Sequence, residues 1–410
     1  MSVSMPSKLR RLGCVLAVCA SLSGCASAPI ASPTLVAHAL QPLDAKALGL
    51  RNLISFDVYA EGSNVHAVMA AETADRKKPY IAYLHSDDGG LHWAAPIEIA
   101  HHLPAALESR IGNDLQVAAS GDRLLVVWQL SGDLPGMGPL ATLYSLDGGK
   151  QWQAGSPPGA SDIDQSHADL AADSQGRFHL VWLDDRDENG YQGLRYARSS
   201  DTGGQWELQQ TIDDSSCSCC WNRLVISPDD RLHVLYRDME PRDMALAQSF
   251  DAGQHWQRTA TVGEFDWQFN GCPHNGGALA HADDQTWHGL VWTGADHKVG
   301  LYHLQSADAG RHWSAPRAMG DGAKAFHSDL AIDADGAVVA IWDELGNEGS
   351  RVVFSQSQDH GEPWLVPQLL SAAEASASFP RVLATEAGIL ALWMEQKTGE
   401  YKQWRAALLQ

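Results

Sequence analysis

The stretch Ser199-Ser200-Asp201-Thr202-Gly203-Gly204-Gln205-Trp206 decides the fold of this chain. Its pattern is Ser-x-Asp-x-Gly-x-x-Trp. Ser and Asp side chains can hold a turn by hydrogen-bonding nearby amides, and Gly allows a positive φ that other residues resist. The pattern therefore predicts a tight turn closed by a large aromatic side chain. Five further copies occupy residues 86–93, 145–152, 249–256, 306–313 and 357–364.

The six copies recur at intervals of about 50 residues, a period that is typical of propellers and solenoids. Within the third unit, residues 168–173, 178–184, 194–199 and 207–212 are short segments rich in strand-forming residues. Four such segments separated by turns predict one four-stranded antiparallel blade. The repeated unit therefore predicts an all-β fold, a β-propeller.

The number of blades follows from the second strand of each unit, which is the most regular element. It occurs seven times, at residues 66–69, 125–128, 179–182, 233–236, 289–292, 339–342 and 390–393. The last unit has only three strands, and residues 34–40 can supply the fourth and close the ring, which removes exposed edges. The sequence thus predicts seven four-stranded blades closed by an N-terminal strand, with six blades as the alternative.

The first 25 residues are typical of an export signal. Lys8, Arg10 and Arg11 precede a short apolar run at residues 12–22, and Leu22-Ser23-Gly24-Cys25 resembles a bacterial lipobox. This predicts a lipoprotein signal peptide at residues 1–25, lipidation of Cys25 and a tether at 26–33. Residues 34–410 would form the single propeller domain. The alternative is an ordinary cleaved signal.

These features predict an exported lipoprotein of the outer membrane that faces the periplasm or the cell surface. The membrane contact would be the N-terminal lipid anchor alone, and we expect a monomer. The formal net charge of −21 argues against nucleic acid as a partner. A strongly acidic chain of this kind stays soluble, but its charge does not identify a ligand.

Charged residues are expected at one level of the central channel. The innermost strands share a Leu. The residue before it is charged in four units, at Asp114, Asp169, Arg223 and Asp329, and is Ala278 in the fifth, while the last unit offers Arg381. Such a layer is consistent with a ligand site, in which the three acids are candidate catalytic groups. The alternative is a ring of salt bridges that holds the blades together.

Three histidines lie close to the same end of the channel. His167 and His327 occupy equivalent positions in the third and sixth units, and His274 lies in the link that enters the fifth. Imidazole can serve as a proton carrier or a metal ligand, although a structural role is the alternative.

Four cysteines remain after the signal region, and two neighbouring links bring them together. Cys217, Cys219 and Cys220 lie in the link that leads into the fourth blade. Cys272 lies in the link that leads into the fifth, two residues before His274. An exported protein favours disulfides among the four cysteines. The alternative is a thiolate and imidazole site for a soft metal, copper above all.

The repeated turn resembles the Asp box, or BNR repeat, of sialidase-like β-propellers. The Cys-x-Cys-Cys segment, the turn at residues 237–243 and residues 267–277 resemble a bacterial subgroup labelled sialidase-like or exo-α-sialidase. The resemblance implies a glycoside hydrolase of the exo-sialidase type and a cluster of arginines that binds the substrate carboxylate. The candidates here are Arg110, Arg223, Arg237 and Arg381. The chain lacks the Arg-Ile-Pro motif of true sialidases, and no Tyr–Glu pair identifies itself.

Two functional hypotheses follow. In the first, the channel mouth binds an acidic carbohydrate or another small acidic ligand, and the sequence leaves open whether the protein also hydrolyses it. In the second, the chain is a copper-binding or redox lipoprotein that uses the Cys/His cluster.

Overall fold

The structure is a computed structural model that describes residues 36–41, 43–73, 79–99, 107–110, 112–132, 138–159, 164–184, 192–200, 203–269, 271–347 and 349–410. The signal peptide, Cys25 and the tether predicted for residues 1–33 lie outside these ranges. So do Asp201 and Thr202 of the box quoted above. Among the described residues, no helix combines the length and the apolar character needed to cross a bilayer.

The described residues form seven four-stranded antiparallel sheets, so the prediction of seven blades is confirmed and six blades are excluded. The first blade is β2 (Leu50–Glu61), β3 (Asn64–Thr73), β4 (Tyr80–Ser86) and β5 (Ile97–Glu98). The second is β6 (Gln116–Ser120), β7 (Arg123–Gln129), β8 (Leu140–Ser145) and β9 (Gln153–Ala154). The third is β10 (Gln165–Ala172), β11 (Phe178–Asp184), β12 (Gln192–Ser199) and β13 (Trp206–Ser216).

The fourth blade is β14 (Arg223–Ile226), β15 (Leu232–Arg237), β16 (Met244–Ser249) and β17 (Gln257–Val262). The fifth is β18 (Gly277–His281), β19 (Trp287–Thr293), β20 (Gly300–Ser306) and β21 (Arg317–Met319). A 3₁₀ turn at Gly322–Lys324 leads into the sixth, which is β22 (Ala325–Ile332), β23 (Val338–Gly346), β24 (Gly349–Ser357) and β25 (Gln368–Leu369). The seventh is β26 (Ala375–Thr385), β27 (Gly388–Lys397), β28 (Gln403–Leu409) and β1 (Ala37–Leu40).

The ring closes where the two ends of the chain pair. Strand β1 runs antiparallel to β28, with Ala37 opposite Leu409 and Leu40 opposite Ala406. The closing strand predicted from the sequence is therefore confirmed for residues 37–40. Because β28 now has a partner on each side, its amides and carbonyls are not left at an open edge.

The core lies between blades and explains why the second strand is so regular in sequence. All seven residues of β11 are buried, and Trp128, Trp182 and Trp342 of three second strands are at most 2% exposed. A second strand has a strand on each side and a blade against each face, so it is apolar on both faces. The aromatic side chains then fill the space between neighbouring sheets.

The five Asp boxes whose residues are all described form the turns that the sequence predicts. In the fifth blade, the amide of Gly310 donates to Ser306 Oγ at 2.9 Å and the amide of His312 donates to Asp308 Oδ1 at 2.9 Å. The indole of Trp313 donates to the carbonyl of Gly310 at 2.9 Å. Gly310 has a φ of 82°, which explains the fixed glycine. We call the end of the ring that carries these turns the Asp-box face and the opposite end the loop face.

Replacing Asp308 by alanine is expected to lower the free energy of unfolding by ~1–2 kcal/mol, because the amide of His312 loses its acceptor. The hydrogen bond from His312 lowers the pKa of Asp308 to about 2. The contribution of Asp308 should therefore be present above its ordinary pKa and be lost as the pH falls toward 2. Urea unfolding at pH 7 and pH 2.5 measures both effects. Asp335→Ala, at an exposed position, is the control, and equal unfolding midpoints for Asp308→Ala and wild type at pH 7 would contradict the role of the box.

Candidate functional site

The residues that precede the shared Leu do meet at one level of the channel. Asp114, Asp169, Arg223, Asp329 and Arg381 all line a small cavity of about 20 Å³. The innermost strands start at the loop face with the same register, so equivalent positions lie in one layer around the axis. The prediction that these five residues lie at one level of the channel is thus confirmed.

Both arginines of this layer are paired with acids of other blades. Arg223 Nη2 lies 3.4 Å from Asp329 Oδ1, and Arg381 Nη2 lies 3.4 Å from Asp114 Oδ2. The pairs join the fourth blade to the sixth and the seventh to the second, across the channel. This arrangement favours the alternative of a salt-bridge ring over that of a free ligand clamp.

The acids also tie adjacent blades together through main-chain amides. Asp169 accepts a hydrogen bond from the amide of Leu224, and Asp329 accepts one from the amide of Val382 at 3.0 Å. Asp114 accepts the hydroxyl of Ser55 at 2.9 Å. The three candidate catalytic acids are therefore engaged in holding the ring.

The sequence alignment missed a fourth acid in the channel, Asp57 of β2. It is 7% exposed, and its Oδ2 accepts the amide of Val117 at 2.9 Å. Burial raises the pKa of Asp57 to about 7, against the opposing charge of Arg381. Burial likewise raises the pKa of Asp114 and Asp169. The first unit lacks the shared Leu, so the alignment of units could not place Asp57. Its position follows only from the structure, where Ser55 accepts the amide of Leu115 and Asp57, two residues later, accepts that of Val117.

Asp57 lines a larger cavity that lies below the charged layer. The cavity has a volume of about 370 Å³ and is bounded by the innermost strands, from Asp57–Ala60 in the first blade to Val382–Ala384 in the seventh. Most of its lining side chains are aliphatic. It continues along these strands toward the Asp-box face.

Trp221 covers the channel at the loop face. The ring of Trp221 lies 5.4 Å from that of His327 and 6.2 Å from that of Phe379, centroid to centroid. A Cβ on Gly112 would lie 3.2 Å from the indole, and one on Gly276 only 2.3 Å from it. Residues of the second, fifth, sixth and seventh blades therefore surround Trp221. The indole separates the charged layer from the loop face.

The histidines divide between two environments. His327 Nδ1 lies 2.8 Å from Asp343 Oδ2, and its ring stacks on Phe379 at 4.0 Å. His167 is 6% exposed, and burial, followed by the charge of Arg110, lowers its pKa to about 3. His327 thus belongs to the group of aromatic side chains around Trp221 that covers the channel. His167 is neutral at physiological pH and lies close enough to Cys217 and His274 for their charges to act on it.

The cysteines cluster as the sequence predicts, and none of the four is joined by a disulfide in the structure. Cys217 Sγ lies 3.8 Å from Cys219 Sγ and 3.3 Å from Cys220 Sγ. The ligand atoms of Cys219, Cys272 and His274 form a second group, all within 4.8 Å of one another. The first group is buried, whereas Cys272 and His274 are exposed.

Arg237 and Arg242 lie beneath this cluster, and both are buried. Arg237 donates to the carbonyls of Asn275, Arg242 and Trp292 at 3.1, 2.6 and 2.8 Å. Its guanidinium is therefore committed to the protein interior. The expectation that it contacts a ligand carboxylate does not fit this placement.

Arg110 differs from the other three arginines of the predicted clamp. Its main chain pairs with that of Asn113 in both directions, and its side chain is exposed. Within the described part of the chain, its guanidinium forms no ion pair. Gly112, two residues later, packs against Trp221. The structure thus places Arg110 on the loop face, Arg223 and Arg381 in the channel, and Arg237 in the core, and it does not bring the four together.

Comparisons with known proteins agree with this architecture. The chain matches the profile of a BNR repeat-like domain over residues 186–398, just over half of its length. No curated protein matches the sequence.

Solved structures are similar in fold at low sequence identity. A polysaccharide lyase of family PL25, an ulvan lyase bound to -[GlcA(1-4)Rha3S]-, has a TM-score of 0.59 and 11% identity, over 90% of this chain and 95% of that chain. YCF48 bound to a D1 peptide has a TM-score of 0.51 and 12% identity, over 93% and 96% of the two chains. The NanB sialidase of Streptococcus pneumoniae (K499G mutant) has a TM-score of 0.48 and 12% identity, over 93% and 71%.

Proposed function

The chain belongs to the BNR repeat-like domain family, and we propose that it binds an acidic carbohydrate on the loop face. The observation that carries the proposal is the exposed, unpaired guanidinium of Arg110, two residues before Gly112, which packs against an aromatic platform. In a chain with a formal net charge of −21, a cation that pairs with no acid among the described residues is available to an anionic ligand.

The platform consists of Trp221, His327 and Phe379, which are partly exposed and lie against one another. Aromatic faces bind the apolar face of a sugar ring while leaving its hydroxyls free for hydrogen bonds. A guanidinium at the edge of such a platform can bind a carboxylate or sulfate in a bidentate way. The lyase of similar fold was solved with a saccharide that contains GlcA, which supports testing uronic acids first.

The proposal is one of binding rather than hydrolysis. Asp114, Asp169 and Asp329 line the small cavity beneath Trp221, and each is held by a neighbouring blade. A catalytic acid must come within hydrogen-bonding distance of the glycosidic oxygen, directly or through one water. A sugar that lies on Trp221 is separated from all three.

Replacing Arg110 by alanine is expected to weaken the binding of acidic saccharides roughly tenfold, because one charge-assisted contact contributes ~1.5 kcal/mol at an exposed site. Arg110→Lys should recover part of the affinity, since an ammonium keeps the charge but loses the two-pronged contact. Calorimetry with sialic acid, a glucuronate-containing oligosaccharide and a neutral glucose oligosaccharide measures the effect.

The matched control is Arg311→Ala, because Arg311 is exposed on the Asp-box face, where it contacts the carbonyl of Asp308. This variant should bind as wild type does. If wild-type protein binds neither acidic saccharide, or if Arg110→Ala binds as tightly as wild type, the proposal is wrong.

A further inference from the structure

Three thiols occupy one buried pocket at the start of the fourth blade. Cys217, Cys219 and Cys220 are 1%, 6% and 1% exposed. Thiolates that share one metal ion with bonds of about 2.3 Å lie roughly 3.8–4.0 Å apart, whereas disulfide sulfurs lie about 2.05 Å apart. The observed separations of 3.8 and 3.3 Å are closer to the first geometry than to the second.

A second group of ligand atoms adjoins the first and shares Cys219 with it. Cys219, Cys272 and His274 lie within 4.8 Å of one another, and Cys272 and His274 are exposed. Among the described residues, no set of four of these atoms meets the same distance limit. A closed tetrahedral zinc site needs four mutually close ligands. Two overlapping sets of three suit an ion that accepts low coordination numbers.

The charge beneath the thiols also discriminates between metals. Arg237 and Arg242 are 2% and 4% exposed, and neither forms an ion pair with a described carboxylate. Arg242 Nη1 donates to Cys217 Sγ at 3.0 Å, and the amide of Cys217 donates to the carbonyl of Arg237 at 3.0 Å. Buried guanidinium groups remain charged and require anions close by.

In a metal-bound site, the thiolates of Cys217, Cys219 and Cys220 would supply these anions. Three thiolates around a monovalent ion carry a formal charge of minus two, which the two buried guanidinium groups neutralise. Around a divalent ion, the complex with the same three thiolates has a formal charge of minus one. The charge of one of the two guanidinium groups is then not neutralised.

The pocket is fixed before any ion arrives. Arg237 Nε donates to the carbonyl of Asn275, which follows His274, while its main chain accepts the amide of Cys217. One buried residue, through its side chain and its main chain, thus ties the link that carries Cys272 and His274 to the segment that carries the other thiols. Such preorganisation reduces the ordering cost of binding.

We propose that this chain binds Cu(I) at two overlapping three-ligand sites that share Cys219: an inner site of Cys217, Cys219 and Cys220, and an outer site of Cys219, Cys272 and His274. Soft thiolate ligands favour Cu(I). Binding involves no electron transfer, because the ion displaces the thiol protons into solvent. The exposed outer ligands meet the ion first, and the bridging sulfur of Cys219 connects them to the inner site. This proposal is independent of the carbohydrate site.

The test is a titration of reduced, full-length protein with Cu(I) under argon, in competition with the chromophoric chelator bathocuproine disulfonate. Wild type should withdraw two ions per chain. Cys220→Ser and Cys272→Ser should each withdraw one, because each removes a ligand of a single site. Cys219→Ser should withdraw none, because it removes a ligand of both.

Two further variants protect the result against misfolding. His274→Gln changes an exposed side chain and should lose only the outer ion, with unchanged circular dichroism. His38→Gln, at an exposed position on β1, is its control and should bind two ions. In a parallel competition between the protein and a zinc chelator, the affinity of the protein for Zn(II) should be lower than its affinity for Cu(I).

The proposal is overturned if wild type leaves Cu(I) with the chelator, or if Cys219→Ser binds as much as wild type. It is also overturned if protein isolated from copper-fed cells, alkylated before reduction, has no free thiols and no copper. That last result would establish the disulfides that the export signal favours.

Discussion

Replacing Arg237 by methionine is expected to lower the free energy of unfolding by ~3–5 kcal/mol. The guanidinium is fully buried and donates to the carbonyls of Asn275, Arg242 and Trp292. Methionine fills much of the same volume but leaves all three carbonyls without a donor. Each unsatisfied buried acceptor costs ~1–3 kcal/mol, partly offset because a buried charge is removed.

Arg237→Lys separates charge from geometry. An ammonium retains the positive charge but cannot reach three carbonyls that diverge around a planar fork, so we expect about half of the loss. Urea unfolding of metal-free protein at pH 7 measures both variants. Arg311→Met removes an exposed guanidinium and is the control. An Arg237→Met protein whose unfolding midpoint equals that of wild type would show that these carbonyls find other donors.

Arg237 also illustrates where prediction from the sequence stops. A resemblance to sialidases placed it among the residues that bind a carboxylate, and the structure commits it to main-chain carbonyls. An arginine that serves the core and one that serves a ligand look alike in sequence, because the difference lies in which loops fold over it. Here those loops are the links at residues 237–243 and 271–276, whose positions no local pattern fixes.

The fold, by contrast, was almost fully predictable from local features. Each Asp box contains its own donors and acceptors, as Ser306, Asp308 and Gly310 show, so its turn depends little on distant residues. The second strands are buried on both faces, which leaves a continuous apolar pattern in the sequence. Even ring closure followed from counting, because a unit with three strands needs a fourth from the other end of the chain.

The sequence predicts which residues lie at the level of the candidate site, but it does not predict which of them contact one another. Equivalent positions in repeated blades must lie in one layer, so the level shared by Asp114, Arg223 and Asp329 could be read from the alignment. Which acid pairs with which arginine depends on distances across the channel. The cover formed by Trp221 depends on the path of the link at residues 217–222, and this cover is the reason that the proposed ligand surface is the loop face rather than the channel.

Asp57→Asn is expected to stabilise the protein at pH 8 by ~3–4 kcal/mol and to leave its stability almost unchanged at pH 4, because the pKa of Asp57 is raised from 3.8 to about 7. Asparagine retains the oxygen that accepts the amide of Val117. It cannot ionise, so it avoids the cost of placing a charge in the channel.

The sign follows from proton binding. Between the unfolded pKa of 3.8 and the folded value of about 7, folded wild-type protein holds a proton on Asp57 that the unfolded chain releases. The contribution of this group is therefore fully present below pH 3.8 and is lost as the pH rises through 7. The advantage of Asp57→Asn should grow across that window and then level off.

Asp87→Asn, at an exposed position, is the control and should show no such trend. Urea unfolding of the three proteins at intervals from pH 4 to 8 gives the curve, and an advantage that does not change with pH would mean that Asp57 is ionised throughout, held by Arg223 and Arg381.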